Sequence, residues 1–256
     1  MLDISILTPI KNANPAYFED YEKQILKIVK LGPSFELIFA VDNEEDQTFQ
    51  LARGFKEKHP DLPVKIASLG GQTGISRSRN ACMAAAEGKL IWFADYDDVF
   101  CLDGLKKLFD VALGREDVNT FCGKIERLFN GKLEEVDHSL YASLDGKVVD
   151  NRETIQKVLD FQNIGLMRFV FRRSFVEQAG IEFNLNVSPM EDVEFLYRFF
   201  SKHPKLLVVN ALVYRYVKHE TLIGWRDKWD VLNPRNPSRI IASLAKSCFL
   251  DSSFKI

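Results

Sequence analysis

Three carboxylates stand within four residues at the end of an apolar run. In the stretch GKLIWFADYDD, residues 88–98, Asp95, Asp97 and Asp98 directly follow residues that read as a buried strand. Their mutual repulsion needs a compensating cation, and carboxylate oxygens are ligands that Mg²⁺ and Mn²⁺ prefer. One or two protein carboxylates leave room for phosphate oxygens, so the pattern predicts a metal ion that also binds a diphosphate. The alternative is that Asp98 or Asp103 only caps the helix predicted after this loop.

A second set of candidate residues follows a glycine-rich segment. Residues 70–89 read GGQTGISRSRNACMAAAEGK, in which glycines precede a predicted helix and Arg77 and Arg79 lie near its start. The helix dipole disfavours cations at this end, whereas the backbone N–H groups there attract anions. We therefore expect a phosphate or a carboxylate as the partner of these arginines; the alternative is a surface arginine paired with a nearby acid. The segment matches neither a Walker A loop nor the GxGxxG pattern.

The first half of the chain alternates strand-like and helix-like segments. Short apolar runs cover residues 4–8, 35–41, 64–69 and 89–94, and amphipathic stretches separate them. Runs of this kind are typical of strands buried on both faces. This alternation predicts an α/β fold with a mostly parallel sheet flanked by helices. Such sheets bind ligands at the carboxyl ends of their strands, which is where Asp42 and Asp95 stand in the sequence.

The second half changes to an α+β pattern. The stretches VNTFCGKIERLF and LEEVDHSLY flank the turn NGK and predict a hairpin, and strand-like runs follow at 166–172 and 206–217. A helix is predicted to begin near MEDVEFLYRFFSK, residues 190–202. Asp192 falls in its first turn, where an acid is ordinarily stabilised by the helix dipole.

Composition and charge exclude some classes of protein. The formal net charge is −2 and the pI about 6.1, so the chain is not coated with positive charge for nucleic acid. The four cysteines are widely spread without a CxxC pair, which indicates neither a zinc site nor a redox motif. No apolar run approaches the roughly 20 residues that span a bilayer, and residues 2–10 lack the basic start of a signal peptide. We therefore expect a cytoplasmic protein.

Five segments resemble, in order, the motifs of the GT-A-fold glycosyltransferases of the large inverting family 2. The five segments lie between about residues 3 and 220. The family motifs that they resemble are, in order, the opening strand, the VDDGSxDxT segment, the G-x-x-x-ARN segment, the FLDADD loop with the DXD motif, and the ED motif. In this chain the five segments read SILTPIKN, VDNEEDQT, GISRSRN, FADYDD and MEDVEFLYRF. The resemblance implies a Rossmann-like GT-A fold, a nucleotide-diphosphate sugar donor, usually a UDP-sugar, and Mn²⁺ or Mg²⁺ as cofactor.

The same resemblance implies roles for residues on the donor side. Pro9 and Asp42 would lie by the base, Arg79 by the nucleotide, and Asp95 by the ribose or the metal ion. Asp97 would be the main metal ligand.

On the acceptor side, the resemblance implies that Asp192 is the catalytic base, with Glu191 before it in the same motif. Asp98 matches the last acid of the family loop. His219 is similar to a histidine that some members use near the diphosphate or the metal ion, and a structural histidine is the alternative.

The chain departs from the family pattern in two places near the expected base site. VDNEEDQT is one residue shorter than VDDGSxDxT and lacks its Gly-Ser turn, and Lys11 stands where the family commonly has an aromatic residue. Both departures leave the preference for uridine open.

The function implied by the resemblance is inverting transfer of a sugar to a glycan or lipid-linked acceptor. A base takes the proton of the acceptor hydroxyl, and a metal ion stabilises the leaving diphosphate. A sugar-phosphate nucleotidyltransferase is an alternative, distinguished by release of pyrophosphate. A non-catalytic member that binds nucleotide sugar or glycan is another, but it would be expected to have lost a DXD or ED acid, and both are present.

The chain divides by these motifs into two halves of one domain and an extension. Residues 1–114 form the expected nucleotide-sugar-binding half, 115–224 the acceptor and catalytic half, and 225–256 the extension. The extension mixes two tryptophans with basic residues, which favours either a peripheral contact with the inner face of a membrane or a helix packed on the domain.

Overall fold

A computed structural model gives the fold of the protein. It describes residues 2–42, 44, 47–72, 74–129, 131–134, 138–160, 165–188 and 190–218. His219 and the extension at 225–256 lie outside the described residues.

The strands of the described part of the chain join into one sheet. They are β1 (Ile4–Ile10), β2 (Phe35–Val41), β3 (Val64–Ser68), β4 (Leu90–Phe93), β5 (Val99–Phe100), β6 (Thr120–Phe129), β7 (Lys132–Leu133), β8 (Val148–Val149), β9 (Phe169–Arg172) and β10 (Leu206–Lys218). Neighbouring strands follow the order β3-β2-β1-β4-β9-β6-β10-β5, with β7 beside β6 and β8 beside β10.

The four long strands of the first half are parallel. β1 lies between β2 and β4, and β2 pairs on its other side with β3. All seven residues of β1 and of β2 are buried, as expected for strands covered by helices on both faces. Polar side chains inside these strands have partners: the hydroxyls of Thr8 and Tyr21 lie 2.5 Å apart, and Ser5 donates to Glu36 over 2.6 Å. The other carboxylate oxygen of Glu36 lies 2.8 Å from Nζ of Lys65 in an ion pair.

Helices cover the sheet and connect its strands. They are α1 (Pro15–Ile28), α2 (Gln47–Lys58), α3 (Ile75–Ala85), α4 (Leu102–Gly114), α5 (Ser139–Leu144), α6 (Arg152–Asp160), α7 (Arg173–Gln178) and α8 (Glu191–Ser201). α1 shows how the sequence sets these bounds, because Pro15 is its first residue and Asn14 accepts a hydrogen bond from the Ala16 N–H over 2.9 Å. Its buried residues recur at helical spacing and include Phe18, Tyr21 and Ile25.

The second half mixes parallel and antiparallel pairing. β9 runs antiparallel between β4 and β6, and the 13-residue β10 runs parallel to β6 with irregular register near Leu212. α4 crosses β10 closely at Gly104, where a Cβ atom would lie 1.7 Å from the carbonyl oxygen of Leu212. This approach needs glycine, and it holds β10 beside the loop that carries the acidic cluster.

Two sequence predictions in this half are wrong in part. The hairpin forms, but its second strand is only Lys132–Leu133, and Ser139–Leu144 is helical. The strand-like run at 166–172 divides into a 3₁₀ turn, Leu166–Arg168, and β9. Within the turn, the carbonyl of Met167 accepts a hydrogen bond from the Trp92 indole over 2.7 Å.

Candidate active site

The acidic loop leaves the sheet at the carboxyl end of β4 and returns to it at β5. Asp95 and Asp97 are partly buried, and Asp98 is buried at 4% exposure. No group of three or more His, Cys, Asp or Glu side chains that could hold a metal ion is found among the described residues. Asp95 and Asp97 are the loop carboxylates that keep some exposure, and one or two carboxylates would suit a divalent ion whose other ligands come from a diphosphate and water.

Asp98 binds the sheet and does not cap the next helix. Its Oδ1 accepts a hydrogen bond from the backbone N–H of Val217 in β10 over 2.7 Å. The residue at the cap position of α4 is Cys101, which makes no side-chain cap. Neither acid therefore caps α4 with its side chain, but Asp103 lies in the first turn of α4, where an acid favours the positive end of the helix, as the alternative predicted. Burial, followed by the charges of Asp95 and Asp97, raises the pKa of Asp98 well above its usual value.

Side chains from distant elements fix the backbone of the loop. The Gln24 amide in α1 donates to the carbonyl of Asp98 over 3.0 Å and accepts from the N–H of Phe100 over 2.7 Å. At the other end, the N–H of Asp95 donates to the Tyr214 hydroxyl of β10 over 3.0 Å. Asp97 therefore stands on a segment held on both sides. Sequence patterns do not point to Gln24 or Tyr214, because their contacts with the loop span 74 and 119 residues.

Arg79 is the central cation of the site. It is buried in α3, and its Nη1 donates to Oε1 of Glu191 over 2.7 Å. Its Nη2 lies 3.9 Å from Oδ2 of Asp95, and its guanidinium stacks 5.4 Å from the ring centre of Phe183. Among the described residues its Nε is buried without a hydrogen-bond partner. Arg79 pairs with acids but is buried, so it is not the surface arginine of the alternative. It brings the DYDD loop and the start of α8 into one site.

Asp192 lies in the first turn of α8, next to Glu191. The helix begins after Met190, whose backbone is left-handed at φ 80°. Burial and the neighbouring Glu191 raise the pKa of Asp192 to about 6, against the lowering effect of Arg79. Burial likewise raises the pKa of Asp95 to about 6; Arg79 opposes this, while Asp97 and Glu191 add to it. The site thus holds several acids around one arginine, and it favours a further cation.

The remaining donor-side candidates lie at the ends of β1 and β2. Pro9 is buried in β1 and lies opposite Ala40 of β2. The pairing of β1 with β4 ends before Pro9, so the missing N–H of the proline costs no hydrogen bond between β1 and β4. Asp42 directly follows β2, and Lys11 of the β1 end lies 3.0 Å from its Oδ2. The functional roles given to the site residues stay predictions; they concern Pro9, Asp42, Arg79, Asp95, Asp97 and Asp192. His219 lies outside the described residues.

Comparison with known proteins identifies the class. The family described as Glycosyl transferase family 2 matches residues 5–177, more than half of the chain. The protein belongs to this family, and the resemblance found in the sequence is confirmed.

One curated relative is a processive diacylglycerol β-glycosyltransferase of Mycoplasma pneumoniae. It is 25% identical over 206 residues, which cover 70% of this chain and 57% of the relative. The chain thus spans little more than half the length of that relative.

Solved structures confirm the GT-A fold, a mostly parallel sheet flanked by helices. The structure of S. aureus TarS 1–349 in complex with UDP-GlcNAc matches with a TM-score of 0.66 at 18% identity, covering 99% of this chain and 68% of that one. The mannosyltransferase PcManGT of Pyrobaculum calidifontis, in complex with GDP-Man and Mn²⁺, matches with a TM-score of 0.61 at 16% identity, covering 87% and 59%. Within the described residues no helix is long and apolar enough to cross a membrane.

Proposed function

We propose that the protein is an inverting glycosyltransferase that moves a sugar from a nucleotide-diphosphate sugar to a hydroxyl of a glycan or lipid-linked acceptor. One observation carries the proposal: Arg79 contacts Glu191 over 2.7 Å and lies 3.9 Å from Asp95. This places the acids of the ED motif beside the acids of the DYDD loop. A candidate metal-binding loop next to a candidate base is what such a transfer would require.

The donor half of the proposed site comprises residues 1–114. Asp97 would hold Mn²⁺ or Mg²⁺ with Asp95 beside it, and the bound ion would stabilise the charge of the leaving diphosphate. Asp98 keeps the loop on β10 through Val217. Arg79 supports the site by offsetting the charge of Asp95 and Glu191.

The acceptor half of the proposed site comprises residues 115–224. Asp192 would take the proton of the attacking hydroxyl, because a pKa of about 6 keeps it mostly ionised at neutral pH yet basic enough to accept a proton. The transfer would be a single displacement with inversion at the anomeric carbon, so no protein nucleophile takes part.

The compared proteins support the donor and acceptor classes. The TarS structure is in complex with UDP-GlcNAc, and that of PcManGT is in complex with GDP-Man and Mn²⁺. The name of the Mycoplasma pneumoniae relative gives diacylglycerol as its acceptor, which supports a lipid-linked acceptor here. A cytoplasmic location, with residues 225–256 at the inner face of a membrane, would suit such an acceptor.

The test is a panel of nucleotide sugars offered with Mn²⁺ or Mg²⁺ and without acceptor. We expect slow metal-dependent hydrolysis of one donor that releases a nucleoside diphosphate. Asp97→Asn should abolish this hydrolysis, and Asp103→Asn, an exposed acid five residues after Asp98, should not. Release of pyrophosphate from a sugar phosphate and a nucleoside triphosphate would favour a nucleotidyltransferase, and binding without turnover on any acceptor would favour a non-catalytic member.

A further inference from the structure

The segment before α8 brings the chain to the candidate base. Residues 181–188 are neither helix nor strand, and they lead from α7 towards Glu191 and Asp192. A segment without a ladder relies on turns and on side chains of other elements for its backbone hydrogen bonds. The place of the first turn of α8 therefore depends on what binds this segment.

Asn80 of α3 binds the segment through both backbone groups of Phe183. Its Nδ2 donates to the carbonyl of Phe183 over 2.9 Å, and its Oδ1 accepts from the N–H of the same residue over 2.7 Å. An amide side chain carries a donor and an acceptor side by side, so it pairs with one residue's backbone as a neighbouring strand would. One turn earlier in α3, Oγ of Ser76 donates to the carbonyl of Val187 over 3.3 Å. α3 thus holds the segment at two points.

The other side of the segment packs against α8. The ring of Phe183 stacks on that of Phe195 in α8, with the ring centres 4.2 Å apart and the planes 9° from parallel. Both rings are buried. Arg198 of α8 also donates to the carbonyl of Glu182. Because buried side chains pack without gaps, a displacement of Phe183 is passed on to α8, in which Phe195 stands three residues after Asp192.

These contacts form one path from Asn80 through Phe183 to the start of α8. We propose that Asn80 is a positioning residue of the transfer reaction, which sets the place of the Asp192 carboxyl by fixing Phe183. Arg79, the preceding residue, holds the same region through charge, by its contacts with Glu191 and with the ring of Phe183. Asn80 adds a neutral, directional contact that fixes the backbone. The inference rests on the proposed function, since it takes Asp192 as the base.

The competing explanation is that Asn80 only stabilises the fold. It predicts that Asn80→Ala lowers the melting temperature and leaves kcat unchanged. The positioning role predicts a loss of kcat while the donor still binds, because a shift of about 1 Å in a catalytic group can cost about 100-fold in rate. The two explanations therefore differ in kcat, and a change in stability alone does not separate them.

The experiment measures metal-dependent hydrolysis by the full chain of the donor that the nucleotide-sugar panel identifies. Water takes the place of the acceptor hydroxyl in this reaction and gives its proton to Asp192. In Asn80→Ala, kcat should fall about 10- to 100-fold, while the KM for the donor and the affinity for the nucleoside diphosphate change less than about threefold.

Two further variants grade and control this result. Ser76→Ala should show a smaller fall of kcat, because it removes a single, longer hydrogen bond. If Asn80→Ala does not fold, Ser76→Ala carries the test, and an unchanged kcat in it would overturn the inference. Asn119→Ala is the matched control: Asn119 is of intermediate exposure like Asn80, and its Oδ1 accepts from the backbone N–H of Lys205 over 2.9 Å. It lies at the amino ends of β6 and β10, the edge of the sheet opposite to the acidic loop, so its loss should lower stability and leave kcat unchanged.

A double-mutant cycle tests whether Asn80 acts through Asp192. With the base already removed, adding Asn80→Ala to Asp192→Asn should lower the residual rate less than about twofold. An unchanged kcat in Asn80→Ala, or the full loss repeated in the Asp192→Asn background, would overturn the inference and leave the proposed function standing.

Hydrogen exchange gives a readout that needs no substrate. Backbone amides of residues 191–200 should exchange faster in Asn80→Ala than in the wild type, and at the wild-type rate in Asn119→Ala. Equal exchange in Asn80→Ala and the wild type would overturn the inference even if kcat fell. Absence of turnover of every donor by the wild type would instead count against the proposed function, and against the inference that rests on it.

Discussion

Arg79 and Glu191, which are 112 residues apart in the sequence, form a hydrogen-bonded ion pair over 2.7 Å between α3 and the start of α8. The side chains are only 6% and 12% exposed, and Asp95 lies 3.9 Å from the same guanidinium. The pair therefore joins the acidic loop after β4 to the motif that carries the candidate base.

Replacement of Arg79 should be costly because it leaves buried acids without a cation. Arg79→Met should lower the free energy of unfolding by about 3–5 kcal/mol at neutral pH. The loss should be smaller at pH 5, where Asp95 and Asp192, whose pKa values burial raises to about 6, are largely protonated. Denaturant unfolding at both pH values measures this. Arg77→Met is the control, because among the described contacts Arg77 bonds only Gln72. Equal losses of unfolding free energy in the two variants would contradict the expectation.

The contribution of Asp95 and Asp192 to stability should fall with rising pH in the acidic range. Their pKa values in the folded protein, about 6, lie above the unfolded value near 3.9. Between about pH 4 and 6 these groups hold protons in the folded state and lose them on unfolding, so their contribution to the unfolding free energy decreases as pH rises. Urea unfolding at several pH values should show a shallower decrease in Asp192→Asn than in the wild type. An unchanged slope would show that the Asp192 pKa is not raised.

Asp192→Asn should remove turnover and spare donor binding. The amide preserves the size of the side chain but cannot take a proton, so kcat should fall on the order of 10²–10⁴-fold. The wild-type rate should rise with pH through about 6, where Asp192 ionises, and this rise should be missing from the variant. Steady-state kinetics with the identified donor and acceptor, and calorimetry with the nucleotide, give both readouts. Glu191→Gln tests the adjacent acid, and more than about a tenth of wild-type turnover in Asp192→Asn would exclude the role.

Nucleotide binding should depend on a divalent metal ion held by Asp97. Chelation should weaken binding of the nucleoside diphosphate in the wild type, and Asp97→Asn should have a similar effect because it removes the main carboxylate ligand. Calorimetry with and without Mn²⁺ measures the difference. If the nucleotide binds the wild type as tightly in excess chelator as with Mn²⁺, and binds Asp97→Asn as tightly as the wild type, the metal site is removed from the proposal.

Gln24 should act on the metal site by positioning its loop. Gln24→Leu removes the hydrogen bonds to the Asp98 carbonyl and the Phe100 N–H, so the backbone around Asp97 gains freedom. We expect the gain in nucleotide affinity on adding Mn²⁺ to shrink several-fold, with metal-free affinity unchanged. Gln50→Leu, at an exposed glutamine of α2, is the control. A variant that loses only thermal stability and keeps the full effect of Mn²⁺ would limit Gln24 to a structural role.

Local pattern predicted the architecture and the place of the site. The strands of the first half are apolar on both faces and the helices amphipathic, so periodicity alone indicated a parallel sheet covered by helices. Because the carboxyl ends of parallel strands meet at one edge, Asp42 and Asp95 could be placed on the ligand side from their positions after two strands. Local pattern failed where a buried apolar run was not a strand. Leu166–Arg168 forms a 3₁₀ turn in which the carbonyl of Met167 accepts a hydrogen bond from the distant Trp92 indole, a contact that local pattern does not show.

Motifs and periodicity were enough to predict a family 2 glycosyltransferase with the GT-A fold and an acidic loop at the ligand edge, because both are patterns of residues along the chain. The side chains that complete that loop become visible only in the folded protein. Asp98 bonds to Val217 across 119 residues, and Gln24 reaches the loop from α1 across 74. Such contacts depend on how α1 and β10 pack against β5 at the end of the loop. A hydrogen bond between side chain and backbone leaves no periodic trace in the sequence, so only the folded chain shows it.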